Sequence, residues 1–320
     1  MKLQTKVPVP PSPSPIDHDS SLLLLGSCFV THMGARLHYY QFPMQENPLG
    51  ILYHPFALQN LVHRSVRELY YTESELFYHG EAWHCYDAHT DMSRATAKAL
   101  EQALNNALVQ TRNALLEGTH LVITLGTAWA YRRKTTREFV ANCHKVPQKE
   151  FSKELSTGEE VTESLRQLLE DVRAINKNLH CIFTISPVRH LKEGFIGNQR
   201  SKAHLVSGLH AFLDHFQEDP GLSYFPAYEI LMDELRDYRF YGEDLLHPNT
   251  LAVSYVWERF NECHVSPGSR EVMKAVGEVR RGLEHRPFNP GSREYREFRT
   301  TLDKKIAALR KHFPHMQFDP

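Results

Sequence analysis

The chain has 320 residues, with 37 Lys plus Arg against 38 Asp plus Glu. That length suits one α/β domain with an extension, and the balanced charge gives no global field to attract nucleic acid or an anionic membrane. No stretch is apolar for long enough to span a bilayer or to form a signal-peptide core, so a cytoplasmic protein without membrane contact is expected.

Residues 1–20 carry Pro8, Pro10, Pro11, Pro13 and Pro15 and read as a Pro-rich segment. Leu22 to Leu25 is a short apolar run of the kind that forms a buried parallel strand, and it empties into Gly26-Ser27-Cys28-Phe29. The Gln41 to Tyr53 region supplies a further strand whose limits are blurred by Pro43 and Pro48. Leu100, Leu104, Ala107, Leu108, Thr111 and Leu115 fall on one helix face, and Leu121 to Leu125 is the next apolar run. Trp129 to Val140 can fold as a hairpin. Val161, Leu165, Leu168, Val172 and Ile175 line a second helix, Cys181 to Ile185 is a strand, Leu205, Leu209, Phe212, Leu213 and Phe216 line a third helix, and Tyr224 to Tyr228 is the last apolar run. Strand and helix alternating in this way predict a doubly wound, mainly parallel α/β sheet over residues 21–264. Beyond it, Pro267-Gly268 breaks the chain before two amphipathic helices, one with Val272, Val276, Val279 and Leu283, the other with Tyr295, Phe298, Leu302, Ile306, Leu309 and Phe313. Residues 265–320 therefore read as a helical extension, packed on the α/β domain or on a second copy of the chain. Acidic residues mixed among the basic ones argue against a membrane-lying helix.

Five cysteines, Cys28, Cys85, Cys143, Cys181 and Cys263, stand at unrelated spacings without a C-x-x-C, which fits reduced thiols better than a disulfide framework. The 20 histidines raise the question of metal, yet there is no H-E-x-x-H, and the pair His84 and His89 lacks a third ligand at a recognisable spacing. Surface and hydrogen-bonding histidines are expected, with no metal and no other cofactor.

Sheets of this class bind ligands at the carboxyl ends of their strands. Ser27 follows the first strand, and a hydroxyl there, at a solvent-facing turn, becomes a nucleophile if a base reaches it. Asp244-Leu245-Leu246-His247 offers a base, His247, with Asp244 to orient it. On spacing alone an equal reading makes Asp244 a surface acid and His247 the residue before a proline turn that caps a helix over Thr250 to Phe260. Cys28 is the rival nucleophile, but it points the other way from Ser27 at a strand end and is expected to be a packed thiol. Arg189 and His190 follow the Cys181 to Ile185 strand and can contact substrate, Arg189 suiting a carboxylate or phosphate. The alternative is a structural loop in which Arg189 pairs with Asp233, Glu234 or Asp237.

Gly26-Ser27-Cys28-Phe29-Val30 resembles the signature of the GSCFA-domain family, with Val30 in place of its usual alanine. Asn47-Pro48-Leu49-Gly50, Leu125-Gly126-Thr127-Ala128-Trp129, Asn142-Cys143-His144-Lys145, Ser186-Pro187-Val188-Arg189-His190 and the run Tyr224 to Tyr241 fit the same bacterial family, over roughly residues 2 to 262. The family is grouped with the SGNH/GDSL hydrolases, so the resemblance implies their flavodoxin-like strand order and a Ser27, His247, Asp244 triad. It also implies an oxyanion hole, with Gly50 matching the glycine of the second block. The third block lacks its asparagine, leaving Thr127 or Asn142 as the donor, and a buried structural amide is the other reading of Asn142.

The implied activity is hydrolysis or transfer of an acyl ester through an acyl-enzyme, with an O-acetylated carbohydrate or cell-wall fragment as one substrate class. A phosphodiester or thioester hydrolase at the same site is the enzymatic alternative. A binding module that keeps the fold without catalysis is the alternative from another class.

Overall fold

The computed structural model describes residues 4–318. β1 (Leu22–Gly26) leads through Ser27 into α1 (Cys28–Tyr39), followed by the short β2 (Met44–Glu46) and by α2 (Pro55–Arg67). Proline opens α2 where its missing N–H costs nothing, and the His54 ring accepts the Phe56 N–H as the cap. A hairpin of β3 (Leu76–His79) and β4 (Ala82–Cys85) precedes α3 (Ala97–Glu117) and β5 (His120–Leu125). β6 (Trp129–Arg133), β7 (Phe139–Val140) and β8 (Phe151–Leu155) form an antiparallel ribbon. α4 (Gly158–Ile175) starts on a Thr157/Glu160 capping box and is followed by β9 (His180–Ile185) and α5 (Gly194–His215). β10 (Leu222–Phe225) gives way to α6 (Ala227–Glu229), which continues as a π-helical turn over Ile230–Leu235. α7 (Thr250–His264), α8 (Pro267–Glu284) and α9 (Arg293–His312) complete the chain.

The main sheet has five strands in the order β2-β1-β5-β9-β10, all parallel. Counted along the chain that order is 2-1-3-4-5, a doubly wound arrangement. Alternation along β1 shows the two faces: Leu23 and Leu25 join the core under α2 to α5, while Leu22 and Leu24 join the core under α1, α7 and α8. Two sequence expectations shift. The apolar run at Tyr224 to Tyr228 is strand only to Phe225, because Pro226 has no N–H for the ladder and the chain turns into α6. The Gln41 to Tyr53 region yields the three residues of β2.

The Pro-rich segment lies along the end of α7, where the Ser12 and Ile16 N–H groups donate to Cys263 O and His264 O, each at 2.7 Å. The helical extension folds back as a hairpin on the α/β domain. Val276, Val279 and Leu302 pack with Met316 and Phe318 next to Tyr40 at the end of α1, and the Gln317 N–H donates to Gln41 Oε1 at 2.7 Å. Within the chain these helices cover the α/β domain. Among the described residues no helix is long and apolar enough to cross a membrane.

Candidate functional site

Parallel strands bring Ser27, Asn47, Gly126 and Ser186 to one edge of the sheet. Gly26 ends β1 at φ 143°, where an L side chain is strained, and a Cβ there would collide with the Thr124 backbone. Its N–H donates to Asn47 Oδ1 at 2.9 Å, and the Ser27 N–H donates to Thr124 O at 3.2 Å. The Asn47-Pro48-Leu49-Gly50 motif thus has a definite task. It forms a turn at the end of β2 that fixes the residue before Ser27. Contrary to the expected solvent-facing turn, Ser27 is only 1% exposed. Its hydroxyl is occupied as the N-cap of α1, accepting the Phe29 N–H at 3.4 Å, while Cys28 beside it is half-buried.

Asp244 and His247 lie on a loop closed by a bridge between Tyr241 and Pro248 and by the Gly242 N–H donating to His247 O at 2.8 Å. Asp244 Oδ1 accepts the N–H groups of Leu246 and His247, at 2.9 and 3.0 Å, and Oδ2 accepts from His247 Nδ1 at 2.6 Å. Those bonds, the His247 ones foremost, hold the Asp244 carboxyl down to about 2. Nε2 is left without a hydrogen bond among the described residues. The side chains are 51% and 46% exposed, and among the described residues no hydrogen bond joins His247 to Ser27.

The β9–α5 loop clamps this segment. The Arg189 N–H donates to Leu246 O at 3.1 Å and its guanidinium to Leu245 O at 3.4 Å, with the rings of Tyr241 and Tyr238 at 4.2 and 5.2 Å. The carboxylates considered as its partners are taken by others: Asp233 by Arg236, Asp237 by Arg239 and Glu234 by Arg259. His190 follows, with its N–H on Asn198 Oδ1 at 2.9 Å and its ring facing Tyr53. Burial, reinforced by the charges of Lys202 and His247, lowers its pKa to about 4.

The three candidate oxyanion donors are engaged within the protein. The Gly50 N–H donates to Asn47 O at 2.7 Å. Thr127 Oγ1 shares a 2.8 Å bond with Ser201 Oγ and accepts the Trp129 N–H. The β6–β7 hairpin forms, yet Asn142 Nδ2 donates to Thr90 Oγ1 at 3.2 Å while Oδ1 accepts the His144 N–H at 2.9 Å. None of these contacts brings the three to Ser27.

Sequence reading passed over Lys202. It is 2% exposed, and its Nζ donates to Gly126 O at 2.8 Å and Ser186 O at 2.6 Å, stitching the ends of β5 and β9. Burial lowers its pKa to about 7. A signal existed: the Leu205, Leu209, Phe212 stripe, run backwards at helical spacing, lands on Lys202 and Asn198, both buried. Lys202 offsets part of the burial that raises the Cys28 thiol, so the thiol gains no activation.

Many of the histidines serve as hydrogen-bonding core residues. His144 Nε2 meets Cys85 O at 2.7 Å, His84 bridges Ser93 and His79 O, and His120 joins Thr119 to Ser14 O. Comparison with known proteins then places the chain. No curated protein matches it. The helical tail, which the sequence resemblance left out, matches the model of the GSCFA domain protein C-terminal domain over residues 276–320. The GSCFA family model matches residues 21–260, three quarters of the chain, so this protein belongs to the GSCFA family.

Proposed function

We propose that the chain is a serine-dependent acyl-ester hydrolase or acyltransferase of the SGNH type, with Ser27 as nucleophile, His247 as general base and Asp244 as the orienting carboxylate. The observation that carries the reading is the Asp244–His247 bond of 2.6 Å, on a loop tied through Leu246 O to the segment that follows β9, while Ser27 follows β1 in the same parallel sheet. In the proposed reaction His247 Nε2 takes the Ser27 proton as Oγ attacks the ester carbonyl, and returns it to the departing alkoxide. Water or a second alcohol then releases the acyl group by the same steps in reverse. In the first turn of α1 the Val30 N–H is held by Ser27 O and the Phe29 N–H by Ser27 Oγ, so the Cys28 N–H, joined by that of Phe29 once the hydroxyl moves, is assigned to the oxyanion. Arg189 and His190 flank the base and are assigned to substrate contact. Five unpaired cysteines support a reducing compartment such as the cytoplasm.

Because Ser27 is buried and His247 exposed, the reading requires the 242–247 loop to close and the hydroxyl to leave its capping bond when substrate binds. That same burial favours the rival reading, a binding module on this fold. Covalent labelling by a fluorophosphonate, located by peptide mass spectrometry and followed by a panel of acyl esters, separates them. An enzyme is modified at Ser27, and a binding module stays unlabelled.

A further inference from the structure

Lys202 is a buried cation with no counter-charge. An ammonium has three donors; two are given to the carbonyls of Gly126 and Ser186, and among the described residues no carboxylate pairs with it. Burying a lone charge is expensive, and protein structures normally meet that cost with a partner or a ligand. Carbonyl oxygens supply only partial charge.

Arg189 is only half-buried, but it too has no carboxylate partner among the described residues. Its guanidinium rests on Tyr241 and Tyr238 and gives one bond to a carbonyl, so most of its N–H fork remains unspent. The two cations line one cavity of about 120 Å³ together with the polar Asn198, Gln199, Tyr228 and Tyr238 and the apolar Val188, Phe195 and Met232, and no acidic residue lines it. Asn198 spends its carbonyl oxygen on the His190 N–H, and Gln199 accepts from the Tyr228 hydroxyl, which leaves the amide N–H donors of both. A water occupies about 30 Å³. The cavity therefore has the size of a small charged group, not of a whole substrate.

The geometry points to an anion subsite: the Lys202–Arg189 cavity takes a single oxyanion group, a carboxylate or a phosphate, carried by the ligand of this protein. As part of a substrate site the inference rests on the esterase reading, whereas as an anion site it does not. Binding is therefore measured apart from turnover. The groups beside Lys202 are Cys28 from α1, His190 from the β9–α5 loop and the Tyr228 ring from α6, with Arg189 lining the same cavity, and none of them is an anion at neutral pH. With the free ammonium titrating at about 7, an anion that holds it charged makes binding take up a proton, increasingly so as pH rises past 7.

The test is isothermal titration calorimetry of the full chain and of its Ser27→Ala variant with succinate and, separately, with inorganic sulfate. Between about pH 7 and pH 8.5 neither probe titrates, and buffers of different ionisation enthalpy report the proton. We expect one probe to bind with a Kd of about 0.1–10 mM, weaker at the higher pH and with proton uptake there. Lys202→Met and Arg189→Gln should each weaken it by about tenfold or more. Should Lys202→Met fail to fold because two carbonyls are stranded, the half-buried Arg189→Gln carries the test. Preference for succinate assigns a carboxylate, and preference for sulfate a phosphate. Absence of binding to the wild-type chain by both probes, or equal binding by folded variants, overturns the inference. Anion binding with an unlabelled Ser27 keeps the subsite and removes the esterase; labelling without anion binding does the reverse.

Discussion

Asp244 accepts the Nδ1 hydrogen of His247 at 2.6 Å while its other oxygen holds the Leu246 and His247 backbone N–H groups, so one carboxylate fixes both the loop and the imidazole. The bond selects the tautomer in which Nε2 is free to accept a proton. Asp244→Asn keeps an oxygen for the backbone donors but puts an amide N–H against Nδ1, which favours the wrong tautomer. Fluorophosphonate labelling of Ser27 should slow by about 10²–10⁴-fold with an unchanged circular dichroism spectrum. Labelling within a few-fold of wild type would show that the pair is a surface contact.

Ser27→Ala and His247→Ala should abolish ester turnover to a similar extent, because nucleophile and base act as a unit. Ser27→Ala should also cost about 1 kcal/mol of stability, since the hydroxyl caps α1. Cys28→Ala should retain activity, as burial raises its thiol. Retention in Ser27→Ala with loss in Cys28→Ala transfers the nucleophile to the thiol.

The contacts of Thr127 and Asn142 give them different expected signatures. Thr127→Val removes a buried partner of Ser201 and an acceptor of the Trp129 N–H, and should destabilise by about 1–3 kcal/mol in a urea melt. Asn142→Ala loosens the turn at His144, whose φ is 47°, and should leave kcat within a few-fold. A fall in kcat of about 10²–10³ with constant KM in the Asn142 variant would instead make its amide the oxyanion donor.

The strands and long helices were legible because their apolar periods are undisturbed: Leu22 to Leu25 and Leu121 to Leu125 each have both sheet faces covered. The burial of Ser27 was hidden because it depends on a side chain choosing the α1 cap over solvent, and Ser-Cys-Phe allows either. Lys202 was hidden for another reason. A charged residue on an apolar stripe reads as an interruption until the strand-end carbonyls of Gly126 and Ser186, distant in sequence, are brought to it. The engagement of Asn142 likewise follows from a partner, Thr90, whose nearness only the fold supplies, whereas that of Gly50 is a local turn onto Asn47 three residues before it.

Buried histidines should contribute to the acid limit of the fold. Burial pushes His54 and His264 down to about 3, and His144, His180 and His190 down to about 4, against 6.5 in an unfolded chain. A lowered histidine resists protonation only when folded, so stability is full above pH 6.5 and declines as pH falls toward 4, where the unfolded chain binds the extra protons. His264 offers a clean test. Both its ring nitrogens are buried without a partner among the described residues, and the ring stacks on Phe260 at 4.8 Å with Phe225 edge-on at 5.7 Å. His264→Phe should therefore pack in place, hold its melting temperature at pH 7, and lose less of it by pH 4.5 than wild type does. The saving should amount to about 2–4 °C per kcal/mol of avoided proton uptake. Parallel melting curves for the two proteins across that range would show that His264 takes no part in the acid sensitivity.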